Sequence, residues 1–504
     1  QARRDGIPIL SIEPRRSNTV RQLDSEWIPC KPGADTALMQ AVLYVLLEEN
    51  RVDWDFIGRT SSGFDHLSDH ILGRQDGLPK DPRWAERVCG TSADAIVGLA
   101  RRLADLRPAA LLPGYSIQRT IGGEESFRML IALQTALGNV GQLGGSTGDL
   151  NNRLPKPRLG RMPIPDIGAQ PSVPVLQWPD AVLQGTAGGY PSDIRAIYST
   201  GGNYLNQGSD IRKSMQAFEA VDLAVCHDLF LTPTARYCDV VLPVTTYLER
   251  DDIVEPDSGN YLTFSRQAIA PVGEARNDYQ IFLALAERLG FGAGFSDGKS
   301  EEDWLRSFVA ESDVPDYDEF KRSGVYLAPD QNRVGLADFV ADPYAHPLHT
   351  PSGKIELASE KYEQETGYPA IPTYRGPITG AETPLLLITP KSRYRIHSQG
   401  SNVAWLRERE EQALWINPAD ALAYGVIDGQ PALIGNIYGQ IRINARVTDD
   451  IMPGVVCLLE GVYVDLDADG VDTAGSANML TSTEGTQPSR ATTSNSVPVW
   501  VHGA

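Results

Sequence analysis

Four short segments of this chain carry residues able to hold a phosphorylated, base-bearing ligand, and each directly follows an apolar, strand-like run. They are Glu13-Pro14-Arg15-Arg16-Ser17, Gly114-Tyr115-Ser116-Ile117-Gln118-Arg119, Gly201-Gly202-Asn203 and His227-Asp228. A carboxylate at a strand end accepts from ribose hydroxyls or from a guanine edge. Glycine backbone lets a pyrophosphate approach closely, and arginine neutralises it. Each segment also has an ordinary structural reading. Glu13 and Asp228 serve equally well as turn-stabilising carboxylates, and Gly138 to Gly145 reads first as a helix C-cap and tight turn. That glycine run matches neither G-x-G-x-x-G nor a P-loop, which argues against simple dinucleotide or ATP binding. His397, with Thr389, Lys391 and Arg393, can anchor phosphates, although a histidine in a polar loop is more often solvated or hydrogen-bonded.

The elements that must position these residues follow from periodicity. Ile7 to Ile12 reads as a strand stopped by Pro14. Thr36 to Glu49 reads as a helix, with Leu38, Val42, Val45 and Leu46 at helical spacing and Asp35 as its cap. Ala109 to Leu112 is expected as another short strand, followed by a helix from about Glu124 to Leu137. Residues 151 to 190, rich in Pro, Gly and Gln, suggest an irregular connection and a domain boundary. Beyond it come a strand Ala196 to Ser199, a helix Ile211 to Ala220, and strands Leu223 to Cys226 and Val240 to Pro243. Strand and helix alternating at this interval imply a doubly wound parallel sheet, with ligands beyond the carboxyl ends of its strands. From about residue 380, short β-like runs (Leu385 to Ile388, Ala432 to Gly435, Gln440 to Val447, Val455 to Leu459) suggest a small barrel, with one helix seeded at Asn417-Pro418.

A chain of 504 residues, 41% hydrophobic and 22% charged, is long enough for several domains. A net charge of −20 argues against nucleic-acid binding, since a duplex-binding surface needs an excess of Lys and Arg. No apolar run reaches the roughly 18 to 20 residues of a membrane-spanning helix, and no targeting signal is visible. The start at Gln1, without Met and directly on a strand-like run, suggests a preceding segment. The five cysteines include no C-x-x-C pair, so neither a zinc knuckle nor an iron–sulfur site is legible, and all are expected as buried small hydrophobes.

The order of the segments carries more than any one of them. Ile12-Glu13-Pro14-Arg15, Trp27-Ile28-Pro29, Pro32-Gly33-Ala34-Asp35, Gly114 to Arg119, Gly138-Asn139-Val140-Gly141 and Gly144-Gly145 come first. Asp228 to Ala235, Cys238 to Pro243, Gly273 to Asp278, Leu414 to Pro418 and Ala477-Asn478 come after them. In this order they resemble the landmarks of the dimethyl sulfoxide reductase family of molybdopterin oxidoreductases, nearest its anaerobic catalytic subunits. The resemblance covers nearly the whole chain.

The resemblance implies α/β, doubly wound parallel-sheet domains followed by a C-terminal β-barrel domain of the double-psi type. Residues 1–150 and 151–290 would each bind one guanosine tail. Residues 291–380 would be a connecting segment packing on a missing N-terminal domain, and 381–504 the cofactor-capping barrel. The cofactor would be bis-molybdopterin guanine dinucleotide with molybdenum. Glu13, Arg15 and Asp35 would hold one guanosine; Asn203, His227, Asp228, Arg250 and Asp278 the other. Gln118 would face pterin and metal; Thr389, Lys391, Arg393, His397 and Ser398 would line the tails; Tyr463, Asn478 and Asn495 would close over the pterins. The family usually has Asp where this chain has Glu13. Its metal ligand and a [4Fe-4S] cluster lie upstream of the segment matching Ile12 to Arg15, so no catalytic residue or metal ligand is legible in this stretch, which alone is expected to hold no metal. The implied reaction is two-electron oxygen-atom transfer, such as sulfoxide or N-oxide reduction in anaerobic respiration. The alternatives are a relative acting on formate, nitrate, arsenic oxyanions or phenols, and a non-catalytic structural homologue. The implied partners are a small-molecule oxide, an iron–sulfur electron-transfer subunit and a membrane-anchor subunit, with no nucleic acid. A periplasmic or membrane-associated location follows from the same resemblance.

Overall fold

The computed structural model describes residues 2–147, 155–329, 334–376 and 378–504. The expected boundary at residues 150 and 151 lies outside them. The fold is mixed α/β with parallel sheets and a closed C-terminal barrel, as expected.

The first unit is mostly helical. Its strands Leu10–Ile12 and Glu26–Ile28 pair in parallel, Leu10 opposite Glu26. The helix Asp35–Glu48 runs through the centre, buried from Thr36 to Leu43 and again at Val45 and Leu46. Fourteen residues without Gly or Pro, apolar nearly all round, give a helix that is enclosed rather than amphipathic. Helices Pro82–Cys89, Ala93–Asp105 and Gly123–Ala136 surround it. Its N-cap is Ala34; Asp35, expected as the cap, is instead its first residue. Ala109 to Leu112 forms no strand. It lies between Pro108 and Pro113, and its carbonyls are taken by side chains: Gln134 Nε2 donates to Ala109 O (3.2 Å) and Ser146 Oγ to Leu111 O (2.8 Å), which leaves no ladder for a neighbouring strand. The helix Gly123–Ala136 ends in the glycine loop, where a Cβ on Gly145 would meet Asn139 O at 1.8 Å. Only glycine fits there.

In the second unit, strands Ala196–Ser199, Leu223–Asp228 and Val240–Pro243 run parallel in that order. The helix Ile211–Ala220 crosses between the first two. The middle strand continues through His227 and Asp228, two residues past its expected end. Leu205, Ile211, Phe218 and Ala224 join the barrel's interior in one core, so this unit and the barrel are a single packing body.

The stretch 291–380, expected as a connecting segment, is divided between two cores. Val325–Leu327 completes an antiparallel sheet with Asp252–Val254 and Tyr261–Ser265, covered by helices Glu301–Ala310 and Tyr317–Ser323 around Leu262, Phe264 and Phe320. Phe339, Ile355, Leu357 and Ile371 pack into the first unit, and Ile355–Glu356 pairs in parallel with Ser61–Ser62. A buried ionic junction fastens the same return segment. Glu125, 1% exposed, accepts from Arg128 Nη1 (2.9 Å), Tyr362 OH (2.7 Å), Thr373 N (3.1 Å) and Arg375.

The barrel closes six strands in the order Leu385–Ile388, Val455–Cys457, Leu414–Ile416, Gln440–Val447, Pro431–Gly435, Val497–Gly503. Gln440–Val447 alternates exposed and buried, with Ile441, Ile443 and Ala445 inward. Asn417 caps the helix Pro418–Ala423 by accepting from Ala419 N at 3.0 Å. Of the cysteines, Cys30, Cys89, Cys226 and Cys457 are buried as expected, while Cys238 is half-buried.

Candidate functional site

The first unit, the second unit and the barrel meet around a cavity of about 390 Å³. Gln118 and Arg119 reach it from the short 3-10 turn Ile117–Arg119, and Tyr204, Asn206 and Gln207 from the helix after the first strand of the second unit. Thr389, His397 and Ser398 come from the loop after the first barrel strand, and Asn478 and Arg490 from the barrel's last loops.

The seam is laced by hydrogen bonds. Asn495 N donates to Arg119 O (2.9 Å), and Ile121 N to Ser496 Oγ (2.8 Å). Thr389 N donates to Asn495 Oδ1 (3.1 Å), and Thr389 Oγ1 to Ser494 O (3.1 Å). Gln207 Nε2 donates to Ser398 Oγ (3.1 Å), and Asn478 Nδ2 to Asn206 O (2.9 Å). Gly461, at φ +90, passes so close beneath His397 that a Cβ would meet its carbonyl oxygen at 1.6 Å, so only glycine lets Glu460 and His397 share the cavity wall. His397 itself is held at φ +51. Lys391 Nζ donates to Glu460 Oε1 (2.8 Å), which also lies 3.2 Å from His397 Nδ1. Arg393 stands outside this group, its guanidinium over the Tyr394 ring at 5.7 Å.

Gln118, Thr389, His397, Ser398 and Asn478 are therefore brought to one cavity, with Lys391 and Asn495 directly behind it. Sequence reasoning does not single out Arg119, Tyr204, Asn206, Glu460 or Arg490 as site residues. Arg119 does end one of the four strand-end segments, whereas nothing local marks Arg490.

A second group gathers at the carboxyl edge of the three-stranded sheet. Asn203 is 6% exposed; its Oδ1 accepts from Thr234 N (3.1 Å) and Thr234 Oγ1 (2.7 Å), while its Nδ2 has no partner among the described residues. Both ring nitrogens of His227 are engaged, Nε2 with Tyr198 OH and Nδ1 with Asp278 Oδ1, each at 2.8 Å. His227 thus orients Asp278 and Tyr198. Asp228 Oδ1 accepts from Leu229 N (2.7 Å), and its Oδ2 from Thr232 Oγ1 (2.6 Å), which fixes the turn after the strand. Tyr463 lies near enough that the Asp228 charge adds to burial in raising its pKa. Arg250 is turned away, donating to Thr245 O (2.6 Å) and Asp252 Oδ2 (3.1 Å) beside a smaller cavity of about 230 Å³.

The remaining positions lie on the first unit. Glu13 accepts from Ser17 Oγ (2.9 Å), and burial raises its pKa despite that bond and the nearby Arg15. Arg15 lies over the barrel's Trp415 at 5.1 Å, a ring that Arg446 also approaches at 4.5 Å, and so staples the first unit to the barrel. Asp35 is pushed up to about 6 by burial, only partly offset by backbone N–H groups of Asp35 and Gly33.

The folded chain keeps the Asp35 proton up to about pH 6, whereas the unfolded chain releases it near the ordinary value of 3.8. Stability is therefore highest below that lower value and falls as pH rises through the window to about 6. Asp35→Asn should raise the thermal midpoint at pH about 7.5 by an amount equivalent to on the order of 1–2 kcal/mol, and the gain should vanish near pH 4. An equal effect of the substitution at both pH values would contradict it.

These features fit an anionic dinucleotide with a hydrogen-bonding base. An orphan amide donor on Asn203 and the half-buried Asp35 carboxyl offer complementary partners. In a chain of net charge −20, the main cavity is walled by the guanidinium groups of Arg119 and Arg490, with Glu460 the one carboxylate among the described lining residues. Among the described residues, no group of three or more His, Cys, Asp or Glu is placed to hold a metal ion.

Comparison with known proteins agrees. The molybdopterin oxidoreductase family pattern matches residues 1–288, and the molybdopterin dinucleotide-binding domain pattern residues 385–498. Dimethyl sulfoxide reductase DmsA of Escherichia coli is 33% identical over 94% of this chain and 65% of its own length. Trimethylamine-N-oxide reductase of Haemophilus influenzae is 33% identical over 95% of this chain and 65% of its own length. The chain thus spans slightly less than two thirds of these relatives. Acetylene hydratase from Pelobacter acetylenicus shares the fold, with a TM-score of 0.77 at 19% identity over 99% of this chain and 74% of that one. With the first 288 residues matched by one pattern and the barrel by the other, this chain belongs to the molybdopterin oxidoreductase family.

Proposed function

We propose that this chain is the dinucleotide-cradling part of a molybdenum-dependent reductase of small S- or N-oxides. The observation that carries the reading is the three-unit cavity, cation-lined in an acidic chain and flanked by the orphan Asn203 amide. The substrate class rests on relatives that are sulfoxide and N-oxide reductases. The cofactor is taken to be the bis-guanine-dinucleotide form. When bound, it supplies the two-electron chemistry that converts an oxide to its reduced product and water.

The chain's own residues bind and orient. Asn203 donates to one base through Nδ2, with Asp278, oriented by His227, beside it at the sheet edge. Asp35 accepts from the other base. Gln118, Thr389, Ser398 and Asn478 supply neutral donors and acceptors along the cavity. Electrons would reach the site through a [4Fe-4S] cluster and an iron–sulfur partner subunit, with a membrane anchor subunit and a periplasmic or membrane-associated location.

The test is oxidation of reduced viologen by the purified enzyme that carries this chain. Turnover with dimethyl sulfoxide or trimethylamine N-oxide is expected. A molybdenum-loaded enzyme that reduces neither would sink the oxide-reductase reading.

A further inference from the structure

We propose that Cys226 and Cys238 are a redox modification site, a dithiol that a peroxide converts to a disulfide, with Cys238 attacking and Cys226 resolving. Cys226 lies on the middle strand of the three-stranded parallel sheet and is 1% exposed. Alternation along that strand puts it on the same face as Ala224, which belongs to the core shared with the barrel. After the strand the chain turns at Asp228, and the helix Pro233–Arg236 packs back over the strand. Tyr237 and Cys238 settle against that same core. Asp239 is then locked to Ala224 by two bonds, Asp239 N donating to Ala224 O (2.8 Å) and Ala224 N to Asp239 Oδ2 (2.7 Å). Cys238 is thereby held beside Cys226, and the two thiols are in hydrogen-bond contact.

Exposure and charge assign the same roles. Cys238 is half-buried, whereas Cys226 is enclosed. The hydrogen bond from Cys226 holds the Cys238 thiol below its ordinary value, outweighing burial and the charges of Asp239 and Asp228. The same contact, together with burial, pushes the Cys226 thiol up. The sulfur nearer solvent is thus the one that ionises, and the thiolate is the nucleophile. Its attack on hydrogen peroxide breaks the O–O bond, leaves a sulfenic acid on Cys238 and releases hydroxide, which takes up the proton that Cys238 gave. The Cys226 sulfur then displaces the hydroxyl from that sulfenic acid. The S–S bond forms as the Cys226 proton leaves with the hydroxyl, so that two thiols and one peroxide give one disulfide and two waters. Cys30 and Cys89 also touch, but both are enclosed, at 2% and 0% exposure, and are expected to stay reduced. The disulfide closes the loop that carries Asp228 and Thr234, the residue that holds Asn203 Oδ1.

Trypsin cuts after Lys213, Arg236 and Arg250, so the two sulfurs fall on separate peptides, Ser214–Arg236 and Tyr237–Arg250, each with a single cysteine. The purified enzyme that carries this chain is treated, folded, with dilute hydrogen peroxide, its remaining thiols are alkylated, and the digest is read by mass spectrometry without reductant. The expected product is the two peptides joined by a bond that dithiothreitol breaks, at least about tenfold more abundant than any cross-link of Cys30, Cys89 or Cys457. In C226S, which lacks the resolving sulfur, dimedone should trap a sulfenic acid on Tyr237–Arg250. In C238S neither a cross-link nor a dimedone adduct of Cys226 should form. The wild-type experiment decides alone if a serine variant does not fold. Wild-type peptides that stay unjoined, with Cys238 reduced or overoxidised, would overturn the site, as would a cross-link that forms only after denaturation. A dimedone adduct on Cys226 in C238S would overturn the assignment of attacker and resolver.

Discussion

Replacing Asp472 with alanine is expected to cost on the order of 3–5 kcal/mol, the largest stability loss for a single substitution in the barrel. Asp472 is wholly buried. Its Oδ1 accepts from Asp465 N (2.9 Å) and Ala474 N (3.3 Å), and its Oδ2 from Gly475 N (2.8 Å) and Ser476 N (2.6 Å). Its backbone bridges to the strand Gln440–Val447, Asp472 N donating to Gln440 O (3.0 Å) and Arg442 N to Asp472 O (2.8 Å). One side chain thus satisfies four amide groups of a loop that has no ladder of its own. Alanine would strand those donors in an apolar surround, and each unmet donor costs roughly 1–3 kcal/mol, reduced where water enters. Burial holds the Asp472 pKa above the usual carboxylate value even with these donors, so the site is expensive to build. The loop it organises reaches the cavity: Ser476 leads directly into the turn Ala477–Leu480, which inserts Met479 and Leu480 into the barrel core and sets Asn478 against Asn206. Denaturant unfolding monitored by tryptophan fluorescence, with Trp415 and Trp500 both on barrel strands, reads the effect. An unchanged midpoint in Asp472→Ala would show that the loop is held by something else.

What could be read from the sequence divides along physical lines. The helix Ile211–Ala220 and the strands Ala196–Ser199, Val240–Pro243, Leu385–Ile388 and Gln440–Val447 are legible because local pattern and tertiary burial agree. Ala109 to Leu112 has a strand's composition, yet between two prolines its carbonyls bond to Gln134 and Ser146 instead. The role of residues 291–380 is hidden because it depends on pairings such as Ile355 with Ser61, far apart in sequence. At the site, residue types can be recognised, but not which of their atoms are already spent. Both nitrogens of His227 are used within the fold, and so are both oxygens of Asp228. The Asn203 amide is left over only because Thr234 satisfies its carbonyl. Arg490 depends on a left-handed turn and a distant glutamate, neither of which has a periodicity to betray it.

Binding of two guanine dinucleotide tails, as proposed above, has an all-or-none consequence. Acid hydrolysis of a nucleotide-bearing pterin releases its nucleotide, so the purified enzyme carrying this chain can be analysed for metal by mass spectrometry and for released nucleotides by chromatography. The expected result is one molybdenum per chain accompanied by two equivalents of GMP. In the Asn203→Asp variant, the Oδ1 contact to Thr234 is kept while a base donor is replaced by a negative charge, and the GMP and molybdenum contents should fall together. The release of CMP or of no nucleotide, or an Asn203→Asp enzyme with its full complement of both, would contradict the account.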